Sequence, residues 1–123
     1  MLSVLHIFAE EVNTRAHLTS LLNDIRLSVL IEIDGEGLVL AIDSGRLEIQ
    51  EVLDQEIDVF MTVKEPVMKE LLLGKMKLRM AQKYNQLKLK STIRNSLLLE
   101  SLFFLAMSGS NIKESETSKL LVD

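Results

Sequence analysis

The sequence contains no cysteine, which excludes disulfide bonds, a thiolate nucleophile and cysteine-based metal sites. Tryptophan is also absent, and aromatic residues make up only 4% of the 123 positions. Proteins that hold single-stranded nucleic acid stack its bases on aromatic side chains, so this composition predicts no nucleic acid partner. The interior must be built mainly from Leu, Ile, Val and the six Met residues.

Motifs of common enzyme classes are missing as well. The sequence has no G-x-S-x-G elbow and no glycine-rich loop for phosphate or a dinucleotide. If His6 and His17 lie on one helix, about 16 Å of helix axis separates them, too far to share a metal ion. We therefore predict a non-enzymatic protein without catalytic residues, cofactor or metal.

The amino terminus, "MLSVLHIFAEE", lacks the basic region and long apolar core of a signal peptide. The longest apolar segment, 97–107, is interrupted by Glu100 and is shorter than the roughly 20 residues that a membrane span needs. We therefore expect a cytoplasmic protein.

Charge is unevenly distributed, although the net charge is only −4. The segment 64–94 carries two acidic residues, Glu65 and Glu70, against nine basic ones: Lys64, Lys69, Lys75, Lys77, Arg79, Lys83, Lys88, Lys90 and Arg94. Such asymmetry is typical of a protein that contacts an anionic membrane surface or an anionic ligand such as an acyl-CoA. A solvated face with charges scattered by chance is the simpler alternative.

Hydrophobic periodicity predicts both helices and strands. The predicted order is a helix over 3–23 with a break near Asn13 and Thr14, a three-strand meander over 25–50, a fourth strand over 57–63, a helix from Pro66 to Gly74, a loop and short helix over 75–83, a fifth strand over 85–91 and a final helix over 92–107. This order predicts an α+β domain over residues 1–111, in which helices cover one face of a five-stranded, mainly antiparallel sheet. Residues 112–123 read as a polar C-terminal tail.

The final predicted helix, "TIRNSLLLESLFFLAM", is apolar on nearly every side. A surface helix needs only one apolar stripe, so the core, a partner chain, a membrane or an apolar ligand must cover the other sides. One hypothesis is a homodimer or adaptor protein that uses this helix as its interface. The other is a lipid-binding protein in which the helix forms a wall.

The stretch "IDVFMTVKEPVMKELLLGKMKLRMAQKYNQLKLKS", following "LVLAIDSGRLEIQ", resembles the sterol carrier protein type 2 domain family. The shared features are Asp58 before an alternating strand, a short helix closed by Gly74-Lys75, and the strand Leu87-Lys88-Leu89-Lys90 before an apolar helix. Where the family usually has Gly on either side of that strand, this chain has Asn85-Gln86 and Ser91. The resemblance covers about residues 5–107.

The resemblance implies a hydrophobic tunnel between sheet and helices that holds a sterol, fatty acid, fatty acyl-CoA or isoprenoid lipid. Three cations at its mouth, Lys75, Lys77 and Arg79, are predicted to meet an anionic head group. The predicted ligand-binding residues are Met68, Leu72, Met76, Met80, Leu97, Leu98, Phe103 and Phe104. A close-packed core made of the same residues is the alternative.

Overall fold

A computed structural model describes residues 2–51 and 56–108. The predicted tail, 112–123, lies outside the described residues, as do residues 109–111 and residues 52–55 of the segment that links the third and fourth strands. The elements follow in the order α1 (Leu2–Thr14), α2 (Ala16–Leu21), β1 (Arg26–Ile33), β2 (Glu36–Asp43), β3 (Arg46–Gln50), β4 (Val59–Val63), α3 (Glu65–Leu72), α4 (Leu78–Lys83), β5 (Leu87–Lys90) and α5 (Ile93–Ser108).

The five strands form one sheet in the order β3-β2-β1-β4-β5. Antiparallel pairs join β1 to β2, β2 to β3 and β4 to β5, whereas β1 and β4 run parallel. The predicted meander and the mainly antiparallel sheet are confirmed. The central parallel pair makes the sheet mixed, and a crossover from the β3 edge must return the chain to β1.

Asp58 fixes the start of the parallel pair. Its backbone N–H donates to the carbonyl of Ser28, and its carboxylate accepts from the backbone N–H of Ser28, each at 2.9 Å. These two bonds hold the chain beside β1 just before β4 begins, so that Val59 lies opposite Val29.

The core lies between one face of the sheet and the helices. Along β1 the inward residues Leu27, Val29, Ile31 and Ile33 are buried, while the residues between them are half-buried or exposed. This is the period-two pattern of a strand with one covered face. Helix α1 adds buried residues at Leu5, Phe8, Ala9 and Val12.

The predicted long N-terminal helix is divided at Arg15, next to the expected break. Arg15 has extended backbone angles, φ −94° and ψ 116°, between α1 and α2. Its Nε donates to a carboxylate oxygen of Glu11 at 2.6 Å, and both side chains are mostly buried. Glu11, one turn earlier on α1, therefore holds the side chain of Arg15, the residue at which the helix is interrupted.

The helices that follow the meander begin and end with recognisable capping features. Pro66 lies in the first turn of α3, where its missing N–H is not needed, and Gly74 closes the helix at φ 73°. At the start of α5 the Thr92 hydroxyl accepts from the Asn95 backbone N–H at 3.1 Å. Within the described residues, no helix is long and apolar enough to cross a membrane.

Candidate functional site

The eight predicted ligand-binding residues lie at three depths. Met68 and Leu72 of α3 and Phe103 of α5 are buried in the core cluster. Met76 and Leu98 are half-buried against that cluster. The other three are exposed at the surface: Met80 by 48%, Leu97 by 42% and Phe104 by 42%.

The inner face of α5 is covered by the protein's own core. Leu99, Leu102, Phe103 and Ala106 are all buried. The ring of Phe103 packs on that of Phe8 in α1, with 5.4 Å between centroids and a 59° tilt, a favourable aromatic geometry. This contact attaches α5 to α1 and accounts for one side of the apolar helix.

The outer face of α5 carries an apolar stripe that the described residues leave exposed. Ile93, Leu97 and Phe104 fall within about 40° of one another around the helix at 3.6 residues per turn. Ile93 is 74% exposed, the highest value among the large apolar residues described. Leu105, at 38%, lies further round the helix. The sequence expectation that the core would leave part of this helix uncovered therefore agrees with the structure.

A surface groove of about 580 Å³ lies where α4 meets α5. Its lining residues are Lys77, Arg79, Met80, Gln82, Lys83 and Glu100. Two of the three predicted head-group cations, Lys77 and Arg79, are among them. The third, Lys75, is exposed but does not line the groove.

Glu100 joins the two helices that form this groove. One carboxylate oxygen of Glu100 accepts from the backbone N–H of Arg79 at 2.9 Å, in the first turn of α4. A carboxylate at a helix N-terminus meets unpaired N–H groups and the positive end of the helix dipole. Lys77, the residue preceding α4, provides no capping bond of its own and places its ammonium 5.7 Å from the centre of the Phe104 ring.

Two further concavities lie elsewhere on the surface. The first, of about 670 Å³, is lined mainly by polar side chains of β1, β2 and β3, including the exposed ion pairs Arg26–Asp43 and Arg46–Glu48. The second, of about 620 Å³, lies around the β1–β2 turn at Asp34. Neither contains a predicted ligand-binding residue. Residues 2–51 and 56–108 contain no group of three or more His, Cys, Asp or Glu side chains that could hold a metal ion.

Sequence reasoning did not identify two residues that shape this region. In the sequence Glu100 was noted only as a charge that interrupts an apolar segment. That interruption was the one sequence feature that could have indicated its contact with α4. Lys83 belongs to the basic segment, but its position 5.9 Å from the centre of the Tyr84 ring depends on the local turn after α4.

The element order and the mixed five-stranded sheet define the class of this chain, which has the sterol carrier protein type 2 fold. The sequence resemblance to that family is thereby confirmed at the level of the fold. The sequence itself matches no protein-family model and no curated protein.

Three solved structures illustrate the similarity. The UbiJ-SCP2 ubiquinone synthesis protein superposes with a TM-score of 0.70 at 14% identity, over 85% of this chain and 96% of that one. The sterol carrier protein domain 2 of Helicoverpa armigera gives 0.70 at 16% identity over 84% of each chain. The sec-alkylsulfatase Pisa1 from Pseudomonas sp. gives 0.59 at 18% identity, over 69% of this chain but only 13% of the sulfatase.

Proposed function

We propose that this protein binds an apolar lipid, such as a fatty acid, an acyl-CoA or an isoprenoid-like molecule, between its sheet and its helices, and carries it without chemical change. The observation that supports this proposal most directly is the shared fold. Solved structures with that fold include sterol carrier proteins and a ubiquinone synthesis protein. The location that we propose for the protein is the cytoplasm.

The three depths of the predicted residues suggest how such a ligand is accommodated. Met68, Leu72 and Phe103 are packed in the core, so a ligand must displace them from their present rotamers to reach the sheet. Met and Leu side chains change rotamer readily, and Met in particular fills spaces of irregular shape. Met76 and Leu98 would line the passage from the surface, and Met80, Leu97 and Phe104 would form its rim.

The apolar contacts are sufficient for useful affinity. Burial of about ten methylene groups contributes on the order of 8 kcal/mol before ordering costs are subtracted. About 8 kcal/mol of net free energy corresponds to micromolar binding. A longer acyl or isoprenoid chain, with about 16 methylene-sized groups, contributes roughly 13 kcal/mol, which leaves several kcal/mol for ordering costs at micromolar affinity; the head group adds selectivity.

The decisive experiment is native mass spectrometry of protein purified without detergent, followed by denaturation and identification of released small molecules. We expect one lipid per chain. A lipid-free protein that also gains no thermal stability from fatty acids of graded length or from an isoprenoid alcohol would contradict the proposal.

A pair of substitutions tests where the lipid lies. Met76→Trp fills the predicted passage, and Ile49→Trp adds the same bulk at a half-buried position on β3, also packed against the core. We expect only the first variant to lose bound lipid, with circular dichroism confirming that both remain folded. If Met76→Trp retained as much lipid as Ile49→Trp, the ligand would not pass beside Met76.

A further inference from the structure

One surface of the molecule combines exposed apolar side chains with cations. Ile93, Leu97 and Phe104 form the outer stripe of α5, and Met80 of α4 lies in the groove beside it. We call this surface, together with the cations that line or contact it, the basic-apolar face. It consists of Lys77, Arg79, Met80, Lys83, Ile93, Leu97 and Phe104, with the carboxylate of Glu100 on the same side of α5.

Cations are in close contact with the apolar part of this face. The Lys77 ammonium lies over the Phe104 ring, and Lys77, Arg79 and Lys83 share the groove with Met80. The acidic residue that lines the groove, Glu100, already accepts a hydrogen bond from the Arg79 backbone. The positive charge of the face is therefore only partly compensated.

The wider charge distribution favours the approach of this part of the chain to an anionic surface. The segment 64–94, which contains α3, α4 and β5 and ends within the first turn of α5, carries nine basic and two acidic residues. The remaining residues give the chain its overall net charge of −4, so they are strongly acidic. Near a negatively charged surface, the basic segment is attracted and the rest of the molecule is repelled.

We propose that the basic-apolar face docks on the surface of an anionic phospholipid bilayer. The apolar residues enter the boundary between head groups and acyl chains, and the lysine and arginine side chains extend to the phosphates, as in other interfacial anchors. The face shares Met80, Leu97 and Phe104 with the proposed rim of the lipid passage, but docking uses only their exposed side chains and does not require a lipid to be bound inside.

The charges also argue against a second copy of this chain as the occupant. In a two-fold symmetric dimer the same patch faces itself, so Lys77, Arg79 and Lys83 would lie near the corresponding cations of the other copy. Like charges brought together in this way oppose association. A bilayer containing anionic lipids supplies the complementary charge instead.

Vesicle flotation with the full chain tests the proposal. We expect binding to vesicles of phosphatidylcholine with phosphatidylglycerol to be at least about fivefold stronger than to phosphatidylcholine alone, since each basic residue near an anionic surface contributes roughly that factor. Binding should weaken as salt is added, because exposed charges are screened. Absence of binding, or equal binding to both vesicles, would overturn the proposal.

Matched variants locate the docking face. Phe104→Ser should reduce binding several-fold, whereas Phe60→Ser should not, because Phe60 has nearly the same exposure, 44%, but lies on the sheet face away from the core. The double reversal Lys77→Glu with Lys83→Glu should abolish the preference for anionic vesicles. Its control is Lys88→Glu with Lys90→Glu, which changes the net charge by the same amount. Both lysines lie on β5 opposite Thr62 and Phe60, on the face of the sheet away from the core.

Two outcomes would assign this face a different role. If the control variants lose binding as strongly as the face variants, attraction is non-specific and the proposal fails. If light scattering shows a dimer that Phe104→Ser dissociates, the face is a protein interface and the proposal also fails. Native mass spectrometry of the same variants measures the internal lipid separately, so loss of docking and loss of cargo are distinguishable.

Discussion

The side-chain amide of Asn13 forms two hydrogen bonds with the backbone of Leu47. Its Nδ2 donates to the Leu47 carbonyl and its Oδ1 accepts from the Leu47 N–H, each at 2.8 Å. Leu47 lies on β3, an edge strand of the sheet. The amide therefore satisfies both backbone groups that point away from β2 and attaches α1 to this edge, which would otherwise present unpaired groups to other chains.

We predict that Asn13→Ala destabilises the fold by about 1–3 kcal/mol, because two partly buried backbone groups lose their partner. Asn13→Asp should be similarly unfavourable, since a carboxylate can accept from the Leu47 N–H but repels its carbonyl oxygen. Urea denaturation measures both effects as a lower midpoint with an unchanged slope. Asn23→Ala, at an exposed amide, is the control, and an equal loss of stability there would contradict the assignment.

The sequence contained part of this information. The apolar stripe of the first helix drifts at Asn13 and Thr14, and that polar position predicted a break, which the structure places at Arg15. The partner of Asn13 could not be predicted from the sequence, because Leu47 is 34 positions away and no sequence pattern connects a side-chain amide with a distant strand edge. The parallel β1–β4 pair was invisible for the same reason, since Asp58 and Ser28 belong to different patterns.

Asn85 occupies the left-handed region at φ 59° in the turn before β5. Asn85-Gln86 stands where the sterol carrier family usually has Gly before this strand. We predict that Asn85→Gly leaves stability unchanged or slightly improved, whereas Asn85→Val lowers it by about 1–2 kcal/mol, because a β-branched residue is strained in this conformation. Thermal denaturation followed by circular dichroism measures the difference.

The control for this turn is Gln86→Val at the next position, which is also exposed. Gln86 does not have a positive φ, so a valine side chain should be tolerated there. If both valine variants melt together, backbone conformation is not the cause and the explanation fails.

Glu100 stabilises α4 from another helix. We expect Glu100→Ala to weaken the first turn of α4 by about 1 kcal/mol, as loss of other N-terminal caps does, with a small effect on global stability. Glu100→Gln should retain most of the cap through its amide oxygen. Hydrogen exchange of the 78–83 amides is the measurement, with Glu70→Ala on α3 as the control. Unchanged exchange in Glu100→Ala would show that α4 does not depend on this bond.

The limits of sequence reasoning are clearest on α5. Phe103 and Phe104 are adjacent and chemically identical, yet one is buried against Phe8 and the other is exposed beside Lys77. In an amphipathic helix the polar residues mark the outer face, and the inner face can be inferred from them. This helix has too few polar residues for that inference. Only the packing of α1 and α4 decides which apolar residues belong to the core and which remain available to a ligand or a membrane.

The groove cations give the last prediction, which concerns head-group selectivity. Lys77→Glu with Arg79→Glu should weaken binding of a fatty acid by about fivefold or more, since each nearby ion pair at a protein surface contributes on the order of 1 kcal/mol or more. Binding of the fatty alcohol of the same chain length should change little, because it carries no charge for these residues to meet. Isothermal titration with both ligands gives the comparison.

Lys75→Glu and Lys90→Glu complete this test. Lys75 was predicted as a head-group residue but does not line the groove, and Lys90 lies on the outer face of β5. If head-group contact occurs in the groove, Lys75→Glu should behave more like Lys90→Glu than like the groove variant. Equal losses for acid and alcohol in the groove variant would mean that these cations support the structure around the ligand rather than its charged end.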